Sequence, residues 1–150
     1  MFRRVLLLLG AAAAVATASN AVRPGGLSWT RPLGPELRAR AVAAGLVPVD
    51  LDDVRRLLKD GRTVFVDSRP RDEFENGELP GALSVPWKEV EENRLPPLPS
   101  ADRPVVVYCA NVWCESSLLL GRWLKGRGAR DVALFVDGYE VWWNADGAPR

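Results

Sequence analysis

The run Val105-Val106-Val107-Tyr108 restricts the fold of this 150-residue chain more than any other feature. In an extended strand successive side chains point to opposite faces, so four consecutive apolar residues, three of them β-branched, need cover on both sides. Parallel strands joined by helical crossovers provide that cover. Thr63-Val64-Phe65-Val66 and Val132 to Val136 have the same character, and the segments between the three runs carry helical spacing. Asp50 is placed to cap a helix whose face is Leu51, Val54, Leu57 and Leu58, closed by Gly61. Glu115 to Lys125 holds Leu118, Leu119 and Trp123 at helical spacing before Gly126 and Gly128. Smaller pieces complete the pattern. Val47 to Val49 and Ala82 to Val85 read as short strands, the latter after the turn signals Asn76-Gly77 and Pro80-Gly81. Pro70 to Glu75, Trp87 to Asn93 and Tyr139 to Asn144 read as short helices, and Pro96, Pro97 and Pro99 exclude regular structure before the central strand. The expected fold is an α/β three-layer domain over residues 46–145 with a central, mostly parallel sheet and a tail at 146–150. Functional groups in such a fold gather at the carboxyl ends of strands. No internal repeat is present, and the length leaves no room for a second full domain.

The amino-terminal third has a different composition. Residues 1–45 carry six arginines against Glu36, a formal charge of +5, and the remainder carries −4, for +1 in all. Arg3 and Arg4 precede Val5 to Val22, eighteen residues without a charge. Residues 1–22 are therefore expected to be either a signal peptide, with Ala16-Thr17-Ala18 as a small-x-small cleavage candidate, or a hydrophobic membrane anchor helix. Both alternatives export the C-terminal part to the cell envelope, although Arg23, Arg31, Arg38 and Arg40 on the far side blunt the usual charge rule for orientation. Residues 23–45, with Arg23-Pro24-Gly25-Gly26 and Gly34-Pro35, read as a tether that carries a short helix at Glu36 to Ala44.

Composition also limits the chemistry. The near-neutral balance lacks the basicity of a nucleic-acid binder. The chain contains no histidine, which removes the Ser/His/Asp triad, the Cys/His dyad and histidine metal sites. Two cysteines cannot form a four-cysteine metal site, so no metal or cofactor is expected and cysteine chemistry rests on Cys109 and Cys114. Cys109 closes the most apolar strand, and a short loop then leads into a helix. A loop of that kind presents backbone N–H groups without partners, an anion cradle that favours a thiolate and lowers its pKa without any histidine.

Several motifs carry a family likeness. Asp67-Ser68-Arg69 with Glu73-Phe74, then Gly77-Glu78-Leu79-Pro80-Gly81-Ala82, resembles the first signature of the rhodanese-like sulfurtransferases, with Glu78 where histidine is usual. Val106-Val107-Tyr108-Cys109 resembles their active-site strand and nucleophile. Asp137-Gly138-Tyr139 with Trp142 resembles their C-terminal signature, Asp137 standing in place of a glycine. The resemblance runs from about Leu46 to Asn144. It implies a rhodanese-like fold in which Cys109 takes a sulfane sulfur as a persulfide from a small sulfur donor and hands it to a thiol acceptor.

The loop departs from the common pattern, because Val112 and Cys114 stand where family members often carry glycine and arginine. A dianionic donor such as thiosulfate wants a bidentate guanidinium, which is missing, and Glu115 adds a negative charge. The related phosphatase pattern, a cysteine and an arginine separated by five residues, fails at Glu115. What the loop has instead is a second sulfur. Cys109 and Cys114 could act as a redox or sulfur-relay pair, with Cys114 as resolving thiol, or form a purely structural disulfide in a non-catalytic binding module.

The remaining site candidates divide by role. Ala110, Asn111, Val112, Trp113 and Glu115 form the substrate-binding loop, in which backbone amides are expected to matter more than side chains. Asp67 and Arg69 are candidate cleft neighbours, with an Arg69–Glu73 ion pair as the simplest expectation. Ser116 and Ser117 are expected to bond at the helix start, and Trp123, Trp142 and Trp143 to pack.

Overall fold

The computed structural model describes residues 33–100 and 102–147. The expected signal or anchor at residues 1–22 lies outside them, and among the described residues no helix is long and apolar enough to cross a membrane.

Element order follows the alternation of the sequence: α1 (Leu33–Ala43), β1 (Val47–Val49), α2 (Leu51–Asp60), β2 (Val64–Asp67), α3 (Arg71–Glu75), β3 (Leu83–Ser84), α4 (Trp87–Glu91), β4 (Val105–Tyr108), α5 (Ser116–Gly126), β5 (Val132–Phe135) and α6 (Tyr139–Trp142), which runs on into a π turn at Trp143–Gly147. The five strands lie in the order β1-β5-β4-β2-β3, every pair parallel. β4 is therefore the middle strand, and each of its four residues is buried.

Period-two alternation divides the core between the two faces. Val64, Val66, Val105, Val107, Val132 and Leu134 face one layer, built from Leu37 and Ala41 of α1, Val90 of α4 and Leu118 and Leu124 of α5. Phe65, Val106, Tyr108 and Phe135 face the other, built from Val54 of α2, Leu79, and Tyr139 and Trp142 of α6. Asp50 caps α2 as expected: its carboxylate accepts from the Asp53 amide while the Asp53 carboxylate accepts from the Asp50 amide, and Gly61 closes the helix at φ +66°.

Three expectations need correction. The packed domain extends below residue 46, because α1, expected on a tether, buries Leu37 and Ala41 against the sheet. Among the described side chains of α1 those two, one turn apart, are the buried ones, and the arginines and Gly34-Pro35 around them hide the face. At the other end Asp146, expected in the tail, accepts from Arg55 at 2.6 Å and docks the π turn on α2. The buried stripe of α5 is also rotated from the expected Leu118, Leu119 and Trp123: it is Ser117, Leu118, Leu120, Gly121 and Leu124, while Leu119 and Trp123 are partly exposed. Small residues in the stripe carry no hydropathy signal, though they allow close approach.

If α1 belongs to the domain, Leu37→Ala should destabilise the fold by about 2 to 3 kcal/mol in urea denaturation, the range for truncating a buried leucine. A tethered helix would leave the midpoint unchanged.

Candidate active site at the carboxyl end of β4

β4 ends on Tyr108 and delivers Cys109 to the carboxyl edge of the sheet, where it is 3% exposed. Cys114 is partly exposed, and the two are joined by a disulfide with a Cα–Cα distance of 6.0 Å. The pairing that the sequence left open is thus made in this structure.

The residues between them are ordered by a side chain that sequence reasoning undervalued. The Asn111 Oδ1 accepts from the Trp113 amide at 3.1 Å and the Asn111 carbonyl accepts from the Cys114 amide at 3.1 Å. Two donors of the expected anion cradle are therefore used within the loop. Asn111 Nδ2 in turn donates to Glu140 Oε1 at 2.7 Å. Glu115 precedes α5 without a side-chain cap bond, so Ser116 and Ser117 open the helix but no side-chain cap supports it.

Gly138 holds the loop from the other side. Its φ of +79° is a left-handed conformation, and a Cβ there would lie 2.7 Å from the Ala110 carbonyl oxygen and from the Asn111 N and Cα. Only glycine lets α6 approach closely enough for the Tyr139 and Glu140 amides to donate to the Cys109 and Ala110 carbonyls, at 2.8 and 2.9 Å. The Asp137-Gly138-Tyr139 signature is thus a docking surface for the cysteine loop. Position in the motif was readable from the sequence; its contact with the loop was not.

α1 adds a third clamp. Arg40 Nη1 lies 2.5 Å from Glu115 Oε1, and Arg38 Nη2 lies 3.9 Å from Asp137 Oδ1. From the sequence both arginines counted only toward membrane orientation and not toward the site, because they fall in the supposed tether. Between α1 and the loop runs a groove of about 170 Å³ lined by Glu36, Leu37, Arg40, Val112, Trp113 and Glu115. The Trp113 side chain stands 74% exposed at its rim. Val112 packs partly on the core.

Asp67 and Arg69 occupy the interior instead of lining an open cleft. Asp67 is 0% exposed and Arg69 4%. Arg69 Nε donates to Asp67 Oδ1 at 3.0 Å and Nη2 to Oδ2 at 2.6 Å, a two-pronged pair, and Nη2 also donates to the Gly77 carbonyl at 2.7 Å. The expected partner Glu73 is passed over, since a buried guanidinium needs a buried counter-charge. Burial works against the charged Arg69, and the bonded Asp67 carboxylate outweighs it and leaves the pKa raised. The guanidinium lies 3.9 Å from the centre of the Tyr139 ring, a cation–π contact. Nearby, burial and then the Asp67 charge push the Tyr108 phenol far above its ordinary range, so it stays neutral and accepts from the Leu79 amide at 3.2 Å. Ser68 Oγ and the Ser68 amide both donate to the Tyr108 carbonyl, at 2.8 and 2.9 Å, fixing the last residue before the cysteine.

A parallel α/β sheet whose middle strand ends in a cysteine loop, backed by a buried Asp-Arg pair, makes this a cysteine-centred α/β domain. The chain belongs to the rhodanese-like domain family, whose model matches residues 50–145. It is 32% identical over 90 residues to an HTH-type transcriptional regulator of Mycobacterium tuberculosis, covering 60% of this chain and 38% of that protein. It is 44% identical over 48 residues to the human thiosulfate:glutathione sulfurtransferase, covering 32% of this chain and 42% of that one. The chain thus spans under half the length of these relatives. A solved structure from Rhodopseudomonas palustris, a protein of unknown function described as a possible tyrosine phosphatase, superposes with a TM-score of 0.60 at 26% identity, covering 82% of this chain and 96% of that one.

The buried pair generates a direct test. Asp67→Ala strands a guanidinium in the interior and should cost about 3 to 5 kcal/mol, whereas Asp67→Leu combined with Arg69→Met should recover at least half of that loss. Equal losses in the single and double variants, by chemical denaturation, would refute the pairing as the source.

Proposed function

We propose that this protein is a sulfurtransferase that forms a persulfide on Cys109 and passes the sulfane sulfur to a thiol, with Cys114 as the resolving thiol. The observation that carries the reading is the closed Cys109–Cys114 bridge at the strand-end loop of a rhodanese-like domain. It puts the second sulfur within reach of the first. In the forward step the Cys109 thiolate attacks the outer sulfur of a donor R–S–SH, giving Cys109–S–SH and RS⁻. An acceptor thiolate R′S⁻ then attacks that outer sulfur, giving R′–S–SH and restoring the Cys109 thiolate. Alternatively the Cys114 thiolate attacks the inner sulfur, which expels HS⁻ and closes the bridge.

The charges around the loop favour a persulfide or polysulfide donor over thiosulfate. Arg40 is held by Glu115, Arg69 is buried against Asp67, and residues 109–115 contain no cation to receive a dianion. The human sulfurtransferase relative supports sulfur transfer in general, and its thiosulfate donor is not carried over. A phosphatase is disfavoured by Glu115, which stands where that chemistry needs an arginine. Export through residues 5–22 would put the domain in the cell envelope, cleaved or membrane-anchored, an oxidising setting in which the bridge persists.

Offered a small-molecule persulfide or polysulfide, the reduced full-length protein should gain the mass of one sulfur. Cys109→Ser should not, and Cys114→Ser should accumulate the adduct for want of a resolving thiol. If neither the wild type nor Cys114→Ser gains sulfur, the fold is a binding module stapled by a structural disulfide. For localisation, fractionation of the full chain against one starting at Arg23 should place only the first with the membrane or in the exported fraction. Identical distribution of the two would overturn export.

A further inference from the structure

We propose that the closed bridge has a fixed polarity: a reducing thiol attacks Cys114 Sγ, forms a mixed disulfide there, and expels Cys109 as the thiolate. This rests on the sulfur-transfer reading above, because it concerns how the closed site is reopened for another cycle.

Disulfide exchange needs the incoming thiolate, the attacked sulfur and the leaving sulfur nearly in line, so the nucleophile must approach an attacked sulfur from the side opposite its partner. The two ends of this bridge differ in that respect. Cys109 is 3% exposed at the end of the fully buried β4. The chain on either side of it is fixed as well: Ser68 is bonded to the Tyr108 carbonyl, and the Tyr139 and Glu140 amides to the Cys109 and Ala110 carbonyls. An approach to Cys109 from behind would have to pass through these packed and bonded elements. Cys114 is partly exposed, and both of its chain neighbours are open to solvent: Trp113 is 74% exposed and Glu115 is exposed too. The groove against α1 is lined by Val112, Trp113 and Glu115, so the chain on both sides of Cys114 faces open space.

Solvation alone would favour the opposite outcome, because a partly exposed Cys114 is the easier thiolate to release into water. Access decides, since the buried sulfur cannot be reached in line. The thiolate released by attack at Cys114 is the Cys109 nucleophile itself, already in the position from which it takes sulfur.

The steps balance. A thiolate RS⁻ attacks Cys114 Sγ, the Cys109–Cys114 bond breaks, an R–S–S–Cys114 bond forms and the electron pair leaves on Cys109. A second thiolate, from the same dithiol or another molecule, attacks the R sulfur, releasing R–S–S–R and the Cys114 thiolate. Two thiols are oxidised for each bridge reduced. The fitting reductant is a small thiol or a dithiol presented on a protruding segment.

The test uses the oxidised full-length protein, glutathione as the thiol and iodoacetamide in excess, with an acid quench and fragmentation of the peptide that contains both cysteines. Iodoacetamide traps the thiolate as it leaves and prevents reclosure. The expected product carries glutathione on Cys114 and the alkyl group on Cys109, in at least tenfold excess over the reverse pattern. The reverse pattern or an even mixture overturns the proposal. So does a bridge that glutathione opens only after denaturation. Persulfide formation is read separately on protein reduced beforehand, so failure of sulfur transfer and failure of this polarity give different results.

Discussion

The buried ion pair between Asp67 and Arg69 is the constraint on which the site depends. Asp67 ends β2 and lies in register with Tyr108 of the middle strand. Arg69 reaches from that carboxylate to the Gly77 carbonyl and stacks on Tyr139 at the start of α6. A single guanidinium thus ties together a strand end, a turn and the helix whose amides hold the cysteine loop. Two charges removed from water are a poor source of stability compared with apolar packing, so the value of the pair lies in positioning. It satisfies a turn carbonyl and presents a ring face at one defined place.

The loop is consequently held in layers of different strength. Its first two carbonyls are bonded to α6, its middle is organised by Asn111, and its outer end meets α1 through an exposed ion pair. Stiffness therefore falls from Cys109 toward Cys114. That gradient suits a pair in which one sulfur stays in place and the other moves.

Much of the fold was legible because the strands are buried on both faces. Val105 to Tyr108 needed cover on both faces, the helical segments between the strands pointed to a parallel sheet, and the alternation of Val64, Phe65 and Val66 between two layers follows from period two. Cys109 was legible for the same reason, as the residue following that strand. What was hidden depends on contacts between segments far apart in the chain. The buried face of α1 is marked by Leu37 and Ala41, with exposed Ala39, Val42 and Ala43 blurring the period, so a helix that covers the sheet looked like part of a linker. Arg69 has Glu73 one helical turn away, and local spacing cannot report that Asp67 is the buried partner. Asn111 reads as a loop residue until Glu140, 29 positions later, is seen beside it. The bridge itself was one of several outcomes allowed by a five-residue separation.

Both side chains of the Arg40–Glu115 contact are more than half exposed. Ions in the surrounding fluid compete with them, and at physiological strength screening acts over about 8 Å. The bonds to α6 are short, uncharged on the backbone side and insensitive to such competition. Raising the salt concentration therefore weakens the charged part of the contact between α1 and the cysteine loop, while the backbone bonds that seat Cys109 are left as they are.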